Sequence, residues 1–321
     1  MEQKHDDDPN FLRLLQTLDQ QKNWDGRPLV EYNGFWLPLR FFGSILSTLK
    51  QFKPENNDLI LASFPKSGTT WLKALAVSIA GRNTIADGQS PLLNSNPHML
   101  VPFFELDDPD HLKHLPSPRI ISTHISYKTL PKSIHDESEC KIIYICRNPL
   151  DTFVSYHYFL LDNKLGQGDG DTAQQPLGLD EALDMFCRGI YMYGPIWDHV
   201  LGYWKAHLED PQRVLFLKYE DLQEDTAFYV KKIAAFMGCP FSEEEDKPGV
   251  IEEIVRLCSI NNLKNLEVNK KGKFLGIVEN SSYFRKGEVG DWRNHLSADM
   301  AERIKKIMES ELEGSGLTFK I

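Results

Sequence analysis

Short continuous apolar runs, each bounded by polar residues, recur along the chain. Such runs are typical of strands that are buried on both faces of a parallel sheet. Three of them precede helical patterns, namely "TTWLKALAVSIAG", "LDTFVSYHYFLLD" and "DTAFYVKKIAAFMG". Gly81 and Gly238 can end the first and last of these helices. Strands that alternate with helices predict an α/β fold with a central parallel sheet flanked by helices. The four predicted strands are "NDLILASF" (57–64), "RIISTH" (119–124), "KIIYICRNP" (141–149) and "RVLFLKYEDL" (213–222).

The chain shows no internal repeat and no linker, so we expect residues 1–321 to form a single domain. Residues 1–57 are predicted to be peripheral, with a short amphipathic helix in "FLRLLQTL" and a strand–turn piece in "LVEYNGFWLP". The stretch "NKLGQGDGDTAQQPLGL" (163–179) is rich in Gly, Gln and Asp and has no periodicity. It is either a surface loop or a mobile lid over a pocket.

Composition and charge limit the classes of partner. With 41% hydrophobic and 26% charged residues, the chain has the composition of a globular protein rather than a disordered one. The net charge of −10, from 36 basic and 46 acidic residues, argues against a general nucleic-acid binder. Any anion site must therefore be built locally, from a few placed cations and backbone amides.

Cysteine usage and the N-terminus indicate the compartment. The five cysteines lack C-x-x-C spacing, which indicates neither a disulfide framework nor a zinc site. The N-terminal residues are acidic and lack the apolar run of a signal peptide. No apolar stretch approaches the roughly 18 residues of a membrane span. We therefore expect a cytoplasmic protein that makes no membrane contact.

The loop "ASFPKSGTTWLKAL" (62–75) joins a predicted strand to a predicted helix. It differs from a Walker A loop because Lys66 precedes Gly68. The amides of Gly68, Thr69 and Thr70 would still converge at a helix N-terminus, with two hydroxyls and the lysine as further donors. The loop therefore predicts an anion site, against the alternative of an ordinary turn with a surface lysine. The next residue, Trp71, is either a core residue or a platform for a nucleobase.

Two further segments carry basic residues. Arg147 follows a predicted strand, and Ser155 lies on the helix after it. A guanidinium is a planar donor that suits a second phosphate, although an arginine before an Asn-Pro turn is commonly a surface residue. In "SSYFRKGEVGDWRNHLS" (281–297), Arg285 and Lys286 precede Gly287, which permits close backbone approach. The alternative there is a solvated charged loop.

These segments resemble the motifs of the cytosolic sulfotransferases, which move a sulfuryl group from 3′-phosphoadenosine 5′-phosphosulfate (PAPS) to a hydroxyl or amine. "FPKSGTTW" is similar to that family's P-loop-like phosphosulfate loop, "RNPLDTFVS" to its 3′-phosphate element and "RKGEVGDWRNH" to its C-terminal signature. "KYEDL" (218–222) is similar to a fourth block. The resemblance spans about residues 58 to 296, and "LCSINNLKNLEVNK" is most similar to plant members.

The resemblance assigns roles to individual residues and implies PAPS as co-substrate. Trp71 would stack on adenine with Tyr219 at its edge, and His124 matches the catalytic histidine. Taken alone, a histidine at a strand end is more often structural. The residues implied on the 5′-phosphosulfate are Lys66, Ser67, Gly68, Thr69 and Thr70, and those on the 3′-phosphate are Arg147, Ser155, Arg285, Lys286 and Gly287.

The implied chemistry needs a base for the acceptor hydroxyl and positive charge at the leaving oxygen. Imidazole, with an ordinary pKa of about 6.5, suits the first task at His124. Lys66 and the loop amides suit the second, as preorganised charge. We therefore predict catalysis without a metal ion.

The chain departs from the family pattern at three places. Many animal members carry a lysine two residues before the histidine, where this chain has Ser122. An adenine-packing aromatic after "CS" is replaced by Ile260. The animal dimer motif is altered, which favours a monomer; its positions here are Arg293, Ser297, Ala298 and Glu302.

An apolar, aromatic pocket would suit a flat or fused-ring hydroxyl acceptor. We expect a phenolic such as a flavonoid, with a brassinosteroid-like steroid, a desulfoglucosinolate or hydroxyjasmonate as alternatives. Two other functions remain open: a P-loop kinase, which the position of Gly68 disfavours, and a catalytically inactive nucleotide-binding protein. The predicted pocket residues are Phe104, Tyr127, Tyr156, His157 and Tyr191.

Overall fold

The computed structural model describes residues 9–85, 89–136, 139–163, 175–246 and 249–321. The strands are β1 (Gln20–Lys22), β2 (Pro28–Tyr32), β3 (Phe35–Pro38), β4 (Leu59–Ser63), β5 (Ile120–Thr123), β6 (Lys141–Cys146), β7 (Val214–Lys218), β8 (Lys273–Phe274) and β9 (Val278–Glu279). The longer helices are Pro9–Thr17, Leu39–Gln51, Thr69–Ala80, Pro149–Asn163, Leu179–Cys187, Ile196–Glu209, Tyr219–Glu224, Thr226–Phe236, Val250–Cys258, Ile260–Asn265 and Ala298–Leu312. Shorter α-helical segments are Arg82–Ile85, Pro97–Leu100, Pro109–Lys113, Lys132–Asp136, Glu243–Asp246 and Glu267–Lys270.

The central sheet consists of four parallel strands in the order β5-β4-β6-β7. These are the four strands that the apolar runs predict, so the predicted fold class is confirmed. Because the strands are parallel, the residues that follow them all emerge at one edge of the sheet. The loop after β4, His124 after β5, Arg147 after β6 and Tyr219 after β7 therefore lie at the same edge.

Both faces of the central sheet are buried, as the continuous apolar runs require. Alternate residues of β4 point to opposite faces. Leu59 and Leu61 belong to one apolar cluster, together with Leu72 of the helix Thr69–Ala80. Ile60 and Ala62 belong to a second cluster on the other side. Helices on both faces therefore bury the sheet and present its carboxyl edge as the place for a site.

The N-terminal residues contribute more to the core than a peripheral segment would. Strands β1, β2 and β3 form a separate antiparallel sheet. Trp24, between β1 and β2, is 1% exposed and belongs to the central apolar cluster. Its ring centroid lies 5.4 Å from that of Phe153 and 4.8 Å from that of Tyr156. The description of residues 1–57 as peripheral is therefore corrected for this part of the chain, because packing against the sheet-covering helix buries it.

Two local expectations differ from the structure or fall outside it. The predicted strand 213–222 ends at Lys218, and "YEDL" begins the helix Tyr219–Glu224. Acidic residues in its first turn, Glu220 and Asp221, favour a helix start there over a strand. Of the candidate lid 163–179, residues 164–174 lie outside the described residues. In the described part of the chain, no helix is long and apolar enough to cross a bilayer.

Candidate active site

The loop after β4 forms a concave turn that leads into the helix Thr69–Ala80. Lys66 and Gly68 both have positive φ angles, of 65° and 113°. A Cβ atom at Gly68 would lie 2.9 Å from both Ile145 Cδ1 and Tyr219 Cδ2, so this position requires glycine for space as well as conformation. The turn brings backbone amides and the helix N-terminus to one point, which is the geometry of an anion site.

The ammonium group of Lys66 is held near this turn by weak contacts. Its Nζ atom lies 4.1 Å from the ring centroid of Phe159 and 3.5 Å from the carbonyl oxygen of Ser282. Burial, together with the positive charges of Arg285 and Arg147, lowers the pKa of Lys66 to about 7. Three cations therefore lie near one another, with Arg147 buried and Lys66 and Arg285 half-buried. A bound anion would relieve their mutual repulsion.

In both Arg147 and Arg285, one terminal guanidinium nitrogen donates a hydrogen bond, whereas Nε has no partner among the described residues. Arg147 donates to the carbonyl oxygen of Glu288 and lies 3.6 Å from a carboxylate oxygen of Asp151. Arg285 and Lys286 both donate to Asp291, at 2.6 Å each. The Nε atoms of Arg147 and Arg285 are buried and, among the described residues, have no hydrogen-bond partner. Buried donors of this kind are the expected partners of a phosphate.

Gly287, next to Arg285 and Lys286 in the chain, packs closely against Ile260 and Tyr219. Its φ angle is 71°, and a Cβ atom there would lie 2.4 Å from Cδ1 of Ile260. Tyr219 donates a hydrogen bond of 2.8 Å to the carbonyl oxygen of Gly287. The ring of Tyr219 meets that of Trp71 edge to face, with centroids 5.3 Å apart. Trp71, Tyr219 and Ile260 thus form an apolar wall beside the cationic group.

His124 lies at the end of β5 with one ring nitrogen engaged. Nδ1 is 2.8 Å from the carbonyl oxygen of Ser63, so Nδ1 carries a proton and donates it. In the neutral imidazole, Nε2 is then the unprotonated nitrogen. Burial lowers the pKa of His124 to about 3, so the ring is neutral at physiological pH. The arrangement leaves Nε2 of His124 able to accept a proton from a group in the cavity.

Buried polar groups that the sequence reasoning missed hold His124 in place. Glu105 accepts from the backbone N–H of His124 at 2.7 Å and from the hydroxyl of Thr123 at 2.8 Å. His199 Nε2 lies 2.9 Å from the carbonyl oxygen of His124, and its Nδ1 lies 2.9 Å from the hydroxyl of Tyr144. Burial raises the pKa of Glu105 to about 7. No local pattern reveals these partners, because they come from separate segments of the chain.

A second histidine, His98, also faces the site. Its Nε2 lies 2.9 Å from the hydroxyl of Thr70, and its Nδ1 lies 3.2 Å from Nζ of Lys73. Neither His98 nor Lys73 was predicted from the sequence to belong to the site. A lysine between Leu72 and Ala74, in an otherwise apolar helix, was the available signal of a buried cation.

A cavity of about 370 Å³ is lined by the Lys66 loop, by Arg147 and Arg285, and by His98 and His124. Its volume lies in the usual range for small-molecule sites. It is lined by most of the residues that the sequence assigned to the site: Lys66, Gly68, Thr69, Thr70, Trp71, His124, Arg147, Ser155, Tyr219, Arg285, Lys286 and Gly287. Ser67 is absent from the described lining; its hydroxyl is buried with no partner among the described residues.

The predicted acceptor pocket requires correction, because Tyr156 is the one of its five residues that lines the cavity in the described structure. Phe104 packs on Phe52 in the core, and Tyr127 packs on Tyr203. The hydroxyl of Tyr191 accepts from the backbone N–H of Ile196, and His157 Nε2 is directed to the carbonyl oxygen of Leu177. The described aromatic and apolar lining comes instead from Phe41, Phe103, Leu106, Phe159, Met192, Tyr193, Phe274, Leu275, Ile277, Val278 and Tyr283.

In the described ranges, no group of three or more His, Cys, Asp or Glu side chains is arranged to hold a metal ion.

Ser122 lies close to the buried Lys73. Ser122 donates a hydrogen bond to the carbonyl oxygen of Pro102 at 2.9 Å, and Lys73 donates one to the carbonyl oxygen of Val101 at 3.0 Å. The two side chains therefore contact carbonyl groups of adjacent residues.

Comparison with known proteins agrees with this geometry. Residues 56–316 match the sulfotransferase domain family. Cytosolic sulfotransferase 5 of Arabidopsis thaliana is 43% identical over 314 residues, covering 95% of this chain and 95% of that protein. Cytosolic sulfotransferase 12 of the same plant is 44% identical over 313 residues, covering 95% and 93%. The chain therefore belongs to the sulfotransferase family and is most similar to plant cytosolic members, as its motifs indicated.

Solved structures support the same assignment. An Arabidopsis thaliana sulphotransferase structure superposes with a TM-score of 0.73 at 37% identity, covering 96% of this chain and 94% of that one. Mouse sulfotransferase SULT7A1, complexed with PAP, superposes with a TM-score of 0.69 at 28% identity, covering 89% and 95%. The sulfotransferase fold and enzyme class predicted from the sequence are confirmed.

Proposed function

We propose that this enzyme transfers a sulfuryl group from PAPS to a hydroxyl of a small organic acceptor, and that the acceptor is a phenolic compound such as a flavonoid. The observation that carries the proposal is that one cavity is lined by the Lys66 loop, by Arg147 and Arg285, and by His124. A loop with the geometry of an anion site and a neutral imidazole therefore line the same cavity. The mouse relative complexed with PAP supports the same choice of nucleotide.

The nucleotide would lie with one phosphate at each of two cationic groups. The 5′-phosphosulfate is assigned to Lys66 and to the loop of Ser67, Gly68, Thr69 and Thr70. The 3′-phosphate is assigned to Arg147, Ser155, Arg285, Lys286 and Gly287. The unpartnered Nε atoms of the two arginines fit a phosphate group. Trp71 would stack on the adenine, with Tyr219 at its edge.

His124 is assigned as the general base. Its Nδ1–H donates to Ser63, which leaves Nε2 to accept the proton of the acceptor hydroxyl. PAPS supplies the sulfuryl group when it is bound. Lys66 and the loop amides stabilise the negative charge that develops on the leaving side. Because lysine and backbone dipoles meet this charge, we propose that the reaction proceeds without a metal ion.

The walls of the cavity around His124 support the proposed acceptor class. Phe103 and Tyr193 have ring centroids 5.1 Å and 5.4 Å from the imidazole. Phe159 and Tyr283 line the side where Lys66 lies. Aromatic rings on two sides favour a flat aromatic acceptor whose hydroxyl reaches the imidazole.

Calorimetry of the purified protein tests the nucleotide assignment. We expect adenosine 3′,5′-bisphosphate (PAP) to bind in the presence of EDTA, and adenosine 5′-monophosphate to bind more weakly. Arg147→Gln should weaken PAP and leave the 5′-monophosphate nearly unchanged, because that ligand has no 3′-phosphate. Binding of ATP with Mg²⁺ and none of PAP would overturn the proposal in favour of a kinase.

An acceptor screen with PAPS then tests catalysis. The panel contains flavonoids, a brassinosteroid-like steroid, a desulfoglucosinolate and hydroxyjasmonate. Turnover of flavonoids supports the phenolic assignment, and turnover of another class alone replaces it. PAP binding without transfer to any acceptor would indicate an inactive nucleotide-binding protein. We further propose a cytoplasmic monomer, which cell fractionation and light scattering test.

A further inference from the structure

Lys73 is a fully buried lysine that the proposed reaction does not use. It lies on the helix Thr69–Ala80, one turn after Thr70, and its side chain is 0% exposed. Its Nζ atom has three neighbours: the carbonyl oxygen of Val101 at 3.0 Å, Nδ1 of His98 at 3.2 Å and the ring centroid of Phe103 at 3.3 Å. Burying a cation costs free energy unless the groups that contact it compensate its charge.

With Lys73 charged, the three contacts define the tautomer of His98. An ammonium group has three N–H donors and no acceptor. A carbonyl oxygen, the face of an aromatic ring and a nitrogen lone pair can each accept one of those donors. A charged Lys73 has no lone pair, so Nδ1 of His98 is then the acceptor and the ring proton is on Nε2. Burial lowers the pKa of His98 well below its usual range, which keeps the ring neutral. Burial also lowers the pKa of Lys73 well below its usual value, and the charge of Glu105 opposes this. A neutral amine could accept from Nδ1–H instead, so the inference includes the charged form of Lys73.

The proton on Nε2 determines the direction of the next hydrogen bond. Nε2 of His98 lies 2.9 Å from Oγ1 of Thr70, so the ring donates and the hydroxyl accepts. A hydroxyl has a single proton to donate. Because Thr70 accepts from His98, its own proton stays available for another acceptor. Thr70 lies in the first turn of the helix and lines the cavity beside Gly68.

The imidazole of His98 is also fixed in orientation. It stacks on Phe103 with an interplanar angle of 11° and centroids 5.5 Å apart. The ring of Tyr283 lies against it, with centroids 4.1 Å apart. Rings on both sides oppose rotation of the imidazole, so Lys73 and Thr70 stay at opposite nitrogens.

We propose that Lys73 is a positioning residue that acts through His98, directing the hydroxyl proton of Thr70 towards the anion in the Lys66 loop. The direction of donation is Lys73 Nζ to His98 Nδ1, His98 Nε2 to Thr70 Oγ1, and Thr70 to the 5′-phosphate. The inference rests on the proposed function for the identity of the anion. The tautomer of His98 in the ligand-free protein does not depend on that identity.

Nitrogen NMR of the ¹⁵N-histidine-labelled full chain, without ligand, tests the first link. The signals of His98 are assigned by their loss in His98→Gln. We expect the proton on Nε2 in the unsubstituted protein, and its transfer to Nδ1 or a mixture of both forms in Lys73→Met. A proton on Nδ1 in the unsubstituted protein would overturn the proposal. This measurement decides the question even if Lys73→Met does not fold.

A double-mutant cycle tests whether the effect passes through Thr70. We expect Lys73→Met and Thr70→Val each to weaken PAP binding by about tenfold, the range for a hydrogen bond to a charged group. The double variant should bind no more weakly than Thr70→Val alone, and Thr70→Ser should retain affinity. Binding of adenosine 3′-monophosphate, which lacks the 5′-phosphate, should not change in any of them.

The outcomes separate this inference from the proposed function. Equal PAP affinity in Lys73→Met and the unsubstituted protein, or multiplied losses in the double variant, would overturn the role of Lys73. Absence of PAP binding in the unsubstituted protein would overturn the proposed function, while the NMR result would still report the His98 tautomer. An equal loss of 3′-monophosphate binding would indicate general damage to the site and so contradict the proposed route.

Discussion

Nδ1 of His124 lies 2.8 Å from the carbonyl oxygen of Ser63, the last residue of the neighbouring strand β4. This bond joins the imidazole at the end of β5 to the strand that carries the Lys66 loop. The tautomer of His124, the proposed base, is therefore determined by the pairing of two strands. Nε2 is left to accept a proton from an acceptor in the cavity.

Removal of the proposed base should slow transfer strongly and preserve nucleotide binding. We expect His124→Ala to lower kcat by about 10²- to 10⁴-fold, the usual contribution of a general base. PAP affinity should change little, because the assigned phosphate contacts come from other residues. Steady-state kinetics with PAPS and calorimetry with PAP measure the two effects. Undiminished turnover would remove His124 from the mechanism.

Binding of PAP should be accompanied by proton uptake at Lys66. The pKa of Lys66 is lowered to about 7 in the ligand-free protein, so at pH 8 most of its amine is neutral. A bound phosphate favours the charged amine and raises this pKa. We expect uptake approaching about one proton at pH 8 and less at pH 6, where the amine is already charged. Calorimetry in buffers of different ionisation enthalpy measures it.

Lys66→Met provides the control for that experiment. It retains the length of the side chain and removes the titrating amine, so the uptake at pH 8 should disappear. Protons taken up by the phosphates themselves would remain in both proteins. The same uptake in both proteins would show that Lys66 is not the group that titrates.

Gly287→Ala should weaken PAP binding through a clash with Ile260. The new Cβ would lie 2.4 Å from Cδ1 of Ile260, and the φ angle of 71° adds backbone strain. Strain of this kind costs about 1–3 kcal/mol, and the clash adds to it. Calorimetry with PAP measures the loss in affinity, and thermal unfolding measures the loss in stability.

Two matched variants separate the clash from the strain. Gly276 has a similar φ angle of 73°, and no atom lies within 4 Å of its hypothetical Cβ. Gly276→Ala should therefore show the strain without the clash. Adding Ile260→Ala to Gly287→Ala should restore part of the PAP affinity. If the added substitution restores nothing, close contact with Ile260 is not the cause.

Substitution of Glu105 should destabilise the end of β5. Its two oxygens accept from the His124 amide and the Thr123 hydroxyl, and a glutamine offers one oxygen in place of two. We expect Glu105→Gln to lower the free energy of unfolding by about 1–3 kcal/mol. Urea denaturation measures this. The control Glu302→Gln removes an exposed carboxylate 3.9 Å from Lys306 and should change stability little. Equal midpoints for the two variants would contradict the structural role of Glu105.

Local patterns predicted the elements that make up the site, because each depends on neighbouring residues. The continuous apolar runs gave four parallel strands, and a glycine after Lys66 predicted the loop between β4 and its helix. Cations placed directly after strands, such as Arg147, were predictable for the same reason. The strand 213–222 was predicted four residues too long because "KYEDL" has no glycine or proline to mark the helix start.

The acceptor pocket was predicted poorly because its walls come from distant segments. Phe41, Phe159 and Phe274 belong to three separate parts of the chain and meet at one cavity. Phe104 and Tyr191 also have aromatic neighbours in the sequence, yet their side chains are buried in the core. The choice between core and cavity depends on the packing of whole elements, which no local window contains.

The sequence alone was therefore sufficient for the fold class, which hydrophobic periodicity predicts because it is a local property. The resemblance of four local motifs, in their order along the chain, was sufficient for the family. Only the tertiary structure determines the tautomer of His124, the burial of Lys73 against His98 and the lowered pKa of Lys66. Each of these depends on groups separated by dozens of residues, because hydrogen bonding, desolvation and charge repulsion act through space.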